Sequence, residues 1–406
     1  MASILVVSEL FWPEGGGAEL ATYLILDILA KHNFGITVVT GTKNPAKLRG
    51  ARYCVAPYLR GSNRIVKWVK MEMLGLDKSF KEMLNNHDIL YIPLAAYPLI
   101  PLVKRNGLKV VVHLHNYAPI RYSSIKYYLE PEAIDTIKEF RYAIFHEFHI
   151  QKSILRTLLC PLSYTLYPQS RKWVSQADKV ICVSKRQAEI IANQAPELRD
   201  KIEVVYNPLP PEMINAEPRK ELDDTPTFLY VGGDSYVKGF HILLKAIKEL
   251  GRQGIKARFI LTNKYSRKSI KILNTLNNKY EKLRIELVGR VGYHELLKLH
   301  ERAWALIFPS IWEEPLPYAV VEAMALGTIP IASKVGGIPE LLDDTMLESF
   351  MFTPQNSSEL IKIIKKLSTF DSNEVLSLSH KLRSITLKKF DTNNIGRKIV
   401  QIFSSY

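Results

Sequence analysis

Pro309-Ser310-Ile311-Trp312-Glu313-Glu314-Pro315-Leu316-Pro317-Tyr318-Ala319-Val320-Val321-Glu322-Ala323-Met324-Ala325-Leu326-Gly327 is the stretch whose reading decides the fold. Glu314 and Glu322 are separated by seven residues, and two prolines follow Glu314 closely. Pro317 suits the first position of a helix, where no N–H is required. Gly327 suits the residue just beyond its end. The spacing predicts a short helix from Pro317 to Leu326, with Glu314 in the loop above its N-terminus and Glu322 inside it. One carboxylate then sits beside an anion-friendly helix end, and the other is free to reach a hydroxyl-bearing ligand. A Glu pair alone reads rather as a buried helix carrying two solvent-facing acids; the flanking sequence changes that.

The text downstream, Ile329-Pro330-Ile331-Ala332-Ser333-Lys334-Val335-Gly336-Gly337-Ile338-Pro339-Glu340, extends the pattern with a strand and a glycine loop. Together the two stretches resemble the acid motif of retaining glycosyltransferases of family four. The resemblance implies an α/β GT-B fold, two doubly wound parallel-sheet (Rossmann-like) domains facing a central cleft. It also implies that Glu314 contacts the donor sugar and that Glu322 binds the ribose hydroxyls of the nucleotide.

The rest of the chain reads the same way. Strand-like runs at Ile4–Val7, Ile36–Thr40, Ile89–Ile92, Val110–Leu114 and Val180–Val183 alternate with helical patterns in the first half. Phe228–Val231, Arg258–Leu261, Ile285–Val288, Ala305–Phe308 and Ile329–Ala332 do so in the second. Such alternation implies parallel sheets with crossover helices. Pro208, Pro210, Pro211, Pro218 and Pro226 mark a stiff linker, so the domains are expected at 1–206, acceptor-side, and 207–392, nucleotide-sugar-binding. A last helix, within 393–406, is expected to pack back on the first domain, as in the resembled fold.

Several motifs follow strand ends, where open α/β sheets bind ligands. Glu14-Gly15-Gly16-Gly17-Ala18-Glu19 opens the first helix. Its glycines permit close backbone approach and its N–H groups suit a phosphate; a tight turn alone is the other reading. A dinucleotide fingerprint is excluded, because Leu20 stands where the last Gly belongs and no acid follows Thr40-Gly41-Thr42. His113 and His115 share one face of a strand by alternation, with His115 nearer the carboxyl end. In Val231-Gly232-Gly233-Asp234-Ser235-Tyr236-Val237-Lys238-Gly239, Lys238 offers a point charge to a phosphate; a surface lysine is the plain alternative. The family's Arg is replaced here by Gly233, and Pro317 stands where the family often has Gly. The resemblance implies catalytic roles for His115 and Glu314. It implies donor binding by Gly16, Gly17, Gly233, Lys238, Val291, Leu316, Pro317, Tyr318 and Glu322. Metal binding is not expected, and no cofactor is implied beyond the nucleotide-sugar substrate.

Composition supports a globular chain of two domains: 406 residues, 47% hydrophobic and 23% charged. No run of eighteen apolar residues predicts a transmembrane span, and no signal peptide is read at the N-terminus. Three cysteines, Cys54, Cys160 and Cys182, without a C-x-x-C, argue against a disulfide framework or zinc and fit a reducing cytoplasm. The net charge is +15. Lys43, Lys47, Arg49, Arg52, Arg60, Arg64, Lys67 and Lys70 form a run with no acid between them, interleaved with Trp68 and Val69 and followed by Met71, Met73 and Leu74. Mixed basic and apolar residues favour an anionic membrane surface over nucleic acid; a solvated loop face is the alternative.

The expected activity is metal-independent, retaining transfer of a hexose from a UDP- or GDP-sugar donor to a glycan or lipid-linked acceptor at the cytoplasmic face of the plasma membrane. The rivals are a sugar-nucleotide epimerase of the same fold and a basic polyanion-binding protein. The aromatic, basic segment from Tyr117 to Trp173 carries no readable mechanism.

Overall fold

The computed structural model describes residues 2–61, 64–131, 136–215, 220–343 and 347–405; Pro218 lies outside them. The chain divides into two compact units, Met1–Pro208 with Thr392–Tyr406, and Leu209–Asp391.

The first unit is built on β1 (Ser3–Ser8), β2 (Gly35–Thr40), β3 (Arg52–Val55), β4 (Ile89–Ile92), β5 (Lys109–Leu114), β6 (Lys179–Cys182) and β7 (Ile202–Val204). They form one parallel sheet in the order β3-β2-β1-β4-β5-β6-β7. Its central strands are almost wholly apolar because helices cover both faces; Ile4 to Val7, Ile89 to Ile92 and Val110 to Val112 are fully buried. The Thr392–Ser404 helix belongs to this unit. Ile395, Ile399, Ile402 and Phe403 give it a buried stripe at helical spacing. The Phe403 ring meets Tyr91 edge-on at 5.3 Å, and a Cβ on Gly396 would rest 3.6 Å from Ile28 of the Gly17–Lys31 helix.

The second unit contains β8 (Thr227–Tyr230), β9 (Ala257–Thr262), β10 (Leu283–Gly289), β11 (Ala305–Phe308), β12 (Ile329–Ser333) and β13 (Met351–Phe352). Their order, β10-β9-β8-β11-β12-β13, is again parallel and repeats the winding of the first sheet. Each sheet therefore reverses its winding at one point, between β1 and β4 and between β8 and β11. Ligand crevices of doubly wound sheets form at these points.

The sequence-based strands lie within a residue or two of those observed. β3, β7 and β13 were not expected: they are short edge strands in which few residues are buried on both faces, or of only two residues. The motif helix spans Tyr318–Ala325, with Pro317 as its N-cap at φ −75° and ψ 117° rather than its first helical residue. Gly327 lies beyond the last turn at φ +68°, a conformation that L side chains rarely adopt.

Candidate functional site

The loop leaving β8 and the loop leaving β11 meet at the switch point of the second sheet. Gly239, at φ +75°, lets them touch, since a Cβ there would lie 1.8 Å from the Pro309 carbonyl oxygen. This contact brings Lys238 to Glu314: Nζ donates to Oε1 at 2.6 Å. The Ser310 hydroxyl donates to the same Oε1 at 2.9 Å. Lys238 also stands 5.4 Å from the Phe308 ring centre and 5.6 Å from that of Trp312, a favourable placement for a cation over aromatic faces. Glu314 is buried, and Lys238 is partly exposed.

The glycine loop after β12 fixes Glu314 from the other side. Gly336 takes φ +53°, and a Cβ on it would fall 1.8 Å from the Glu314 carbonyl oxygen. Gly337 N–H donates to that oxygen at 2.9 Å, and Gly336 N–H donates to Glu313 Oε2 at 2.6 Å. The second glutamate of the Glu313-Glu314 pair thus faces the cation, while the first holds the loop.

Glu322 lies inside the Tyr318–Ala325 helix and is buried. Burial raises its carboxyl to about 7, and a hydrogen bond with Tyr293 opposes that rise. Burial and the facing Glu322, with Tyr318 adding to them, push the Tyr293 phenol far up. Tyr293 opens the helix Tyr293–Arg302, just after Val291 and Gly292. The structure therefore brings the Val291 loop, Tyr318 and Glu322 to one place through Tyr293. Leu316 and Pro317 are buried in the turn that joins this group to Glu314. Gly233, at φ +60°, lies in the loop after β8; a Cβ there would come 2.9 Å from the Lys264 carbonyl oxygen.

Gly16, Gly17 and His115 belong to the first unit. Gly16 and Gly17 are exposed, and a Cβ on Gly16 would meet nothing within 4 Å. Gly16 N–H already donates to Glu19 Oε2 at 2.7 Å, so a carboxylate of the chain itself occupies part of the helix end expected to meet a phosphate. His115 follows β5. Its ring centre lies 4.1 Å from that of His113, which in turn shares a 2.8 Å hydrogen bond between Nδ1 and the Tyr91 hydroxyl. Burial lowers His115 to about 3, so its imidazole is neutral at physiological pH. Its Nε2 is buried and has no hydrogen-bond partner among the described residues.

Sequence reasoning missed a cavity of about 570 Å³ in the first unit. Glu9 follows β1, and Leu94 and Ala95 follow β4, so the cavity opens at this sheet's own switch point. Arg64, Lys67, Trp68, Tyr97, Tyr122 and Arg156 also line it. Lys67 Nζ lies 2.5 Å from Glu9 Oε1. Arg64 Nη2 donates to Ser124 Oγ at 2.7 Å, while its buried Nη1 has no partner among the described residues.

These contacts correct the reading of the basic run as one exposed patch. Arg64 and Lys67 turn into the cavity, Arg60 pairs with Glu14, and Lys70 reaches the Arg60 carbonyl. Trp68, Met71 and Leu74 are buried, because the Arg64–Leu76 helix spends its apolar stripe on the core. Lys43, Lys47, Arg49 and Arg52 are exposed beside β3, with Lys47 over the Tyr53 ring at 4.0 Å, and Arg60 is exposed but paired with Glu14.

Two family models match. Glycosyltransferase Family 4 spans residues 15–213, and Glycosyl transferases group 1 spans residues 214–383. A gpi3 subunit of phosphatidylinositol N-acetylglucosaminyltransferase from Schizosaccharomyces pombe is 30% identical over 173 residues, 43% of this chain and 38% of the relative. An uncharacterised glycosyltransferase of Methanocaldococcus jannaschii is 25% identical over 55% of this chain and 59% of its own length. The chain thus spans only two to three fifths of these relatives. Among solved structures, HepE of Anabaena in complex with UDP and glucose superposes with a TM-score of 0.66 at 19% identity, covering 100% of both chains. WaaG, a glycosyltransferase involved in lipopolysaccharide biosynthesis, does so with 0.67 at 14%, covering 99% of this chain and 100% of WaaG. No helix among the described residues is long and apolar enough to cross a membrane. With its two doubly wound parallel sheets and adjoining family matches over residues 15–383, the chain belongs to the family-four glycosyltransferases of GT-B fold.

Proposed function

We propose that the protein transfers a hexose, with retention of anomeric configuration, from a nucleoside-diphosphate sugar to an acceptor hydroxyl. The Lys238–Glu314–Ser310 cluster at the β8/β11 switch point is the observation that carries this reading. In the proposed reaction the anomeric C–O bond to the diphosphate breaks. The acceptor oxygen bonds the same face of that carbon, and its proton passes to the departing phosphate oxygen. Lys238 and the N-terminus of the Tyr318–Ala325 helix meet the charge that develops on the diphosphate, which lets the reaction run without a divalent ion. Glu314 orients the sugar and Glu322 the ribose, and the catalytic role implied for His115 falls to a neutral imidazole able to share a hydrogen bond. No carboxylate nucleophile is required, unlike the two-carboxylate scheme of retaining glycosidases.

The donor nucleotide is UDP or GDP, with UDP supported by the complex named for HepE. A lipid-linked or glycan acceptor is supported by the phosphatidylinositol and lipopolysaccharide enzymes named above. Incubation with nucleotide sugars, lipid-linked or glycan acceptors and chelator, followed by product analysis, tests the reading. Free nucleoside diphosphate with an equal amount of glycoside of unchanged configuration is expected. An altered sugar nucleotide without glycoside, or an inverted product, overturns it.

A further inference from the structure

The segment that the sequence left without a mechanism carries most of the exposed large apolar side chains among the described residues of the first unit. On the Ile154–Leu166 helix, Ile154, Leu155, Leu158 and Leu162 are 71%, 68%, 73% and 61% exposed. Leu159 and Leu166 are exposed beside them, and of this helix only Cys160 is buried. At 100° per residue these six aliphatic positions fall within an arc of about 140°. Ile137, Ile144 and Phe145 of the neighbouring Thr136–Phe145 helix, and Phe148 after it, are exposed as well. Apolar patches of this kind mark interaction sites rather than ordinary surface.

Charge decides the partner. Between residues 136 and 175 the acids are Glu139 and Glu147. Both are turned inward: Glu139 Oε2 accepts from the Tyr167 hydroxyl at 2.6 Å, and Glu147 Oε2 lies 2.7 Å from Arg156 Nε. Lys138, Arg141 and Lys152 are exposed around the aliphatic arc. An isologous contact with a second copy would set these cations against themselves. An anionic lipid surface complements them, and an aliphatic arc flanked by cations is the pattern of a helix lying in the membrane interface.

We propose that the Thr136–Phe145 and Ile154–Leu166 helices dock the protein on an anionic bilayer. Leu159, Leu162, Ser163 and Arg156 of the second helix also wall the cavity of about 570 Å³. A lipid-borne hydroxyl held at this surface therefore enters the cavity directly, where the unpaired Nη1 of Arg64 suits a phosphate or polyol oxygen. That last step rests on the transferase reading; the docking itself does not.

Vesicle sedimentation of the full chain tests the docking. The wild type is expected to sediment with phosphatidylcholine–phosphatidylglycerol vesicles, less so as salt rises and weakly with phosphatidylcholine alone. The Leu158→Glu, Leu162→Glu double variant should bind more than about tenfold less tightly, and Arg141→Glu with Lys152→Glu should flatten the salt dependence. All variants should keep the wild-type melting temperature and its shift with nucleoside diphosphate, because these side chains face solvent. A wild type that stays in the supernatant, or a double variant that sediments as well as the wild type, overturns the proposal. So does a dimer in vesicle-free sedimentation velocity that the same leucine substitutions dissolve. Intact vesicle binding without any nucleotide shift would uphold the docking and count against the donor site alone.

Discussion

Lys238 and Glu314 are joined by a 2.6 Å ion pair at the mouths of β8 and β11. The pair ties the group proposed to meet the diphosphate to the group proposed to meet the sugar. Ser310 shares the carboxylate oxygen, so Glu314 keeps one neutral donor when the cation is removed. Lys238→Met should therefore destabilise the fold by about 1–3 kcal/mol, the range for a buried acceptor that loses a partner. Adding Glu314→Gln should recover most of that stability and none of the turnover. Urea unfolding of the wild type and the two variants measures this. A double variant as unstable as the single one would show that the pair does not act as a unit.

The Glu322 carboxyl, raised to about 7 from an ordinary 4.5 by burial, makes stability depend on pH. Below about 4.5 it is protonated in both folded and unfolded chains. Between 4.5 and about 7 the unfolded chain ionises first and binds fewer protons, so stability falls as pH rises. The total is about 3 kcal/mol. Glu322→Gln should remove this slope. The difference in unfolding free energy between wild type and variant, followed from pH 4 to pH 8, should move in the variant's favour as pH rises. A constant difference would mean that the carboxyl is not buried as described.

How much of this was legible beforehand follows from what is local. β4 and β11 could be placed residue for residue because a short apolar run between turn signals needs no tertiary information. β3 and β13 could not, since an edge strand of four or two residues is defined by its neighbour. Glu314, Glu322 and Lys238 stood out through spacing and loop chemistry. Their partners did not: Tyr293 reaches Glu322 and Ser310 reaches Glu314 only once separate loops fold together. The aliphatic Ile154–Leu166 stretch was silent for a related reason. Its helical spacing reads the same whether the stripe meets a core or faces outward.

Gly336 and Gly16 give opposite expectations for the same change. Gly336→Ala would press a Cβ onto the Glu314 carbonyl in a left-handed backbone. It should cost about 1–3 kcal/mol or more and abolish transfer. Gly16→Ala meets open space and should leave the melting temperature within a degree or so while lowering turnover, if the loop contacts a ligand. Unchanged turnover in Gly16→Ala would reduce that loop to a turn.

His115, held near 3 by burial, should contribute no inflection to the pH–rate profile between pH 5 and pH 8. An inflection near pH 7 is expected from Glu322 instead. It should persist in His115→Gln, whose turnover falls, and vanish in Glu322→Gln. Loss of the inflection in His115→Gln would reassign the titrating group.

The central claim is that the second unit holds a nucleotide through Glu322, and titration calorimetry reaches it most directly. The nucleoside diphosphate giving the largest thermal shift with wild type is titrated into wild type and Glu322→Gln. Removing a charged hydrogen-bond partner of about 1.5–3 kcal/mol predicts affinity roughly ten- to a hundredfold weaker in a variant that stays folded. Equal affinity in the two proteins would contradict the assignment of the ribose to Glu322 and, with it, the donor site described for this unit.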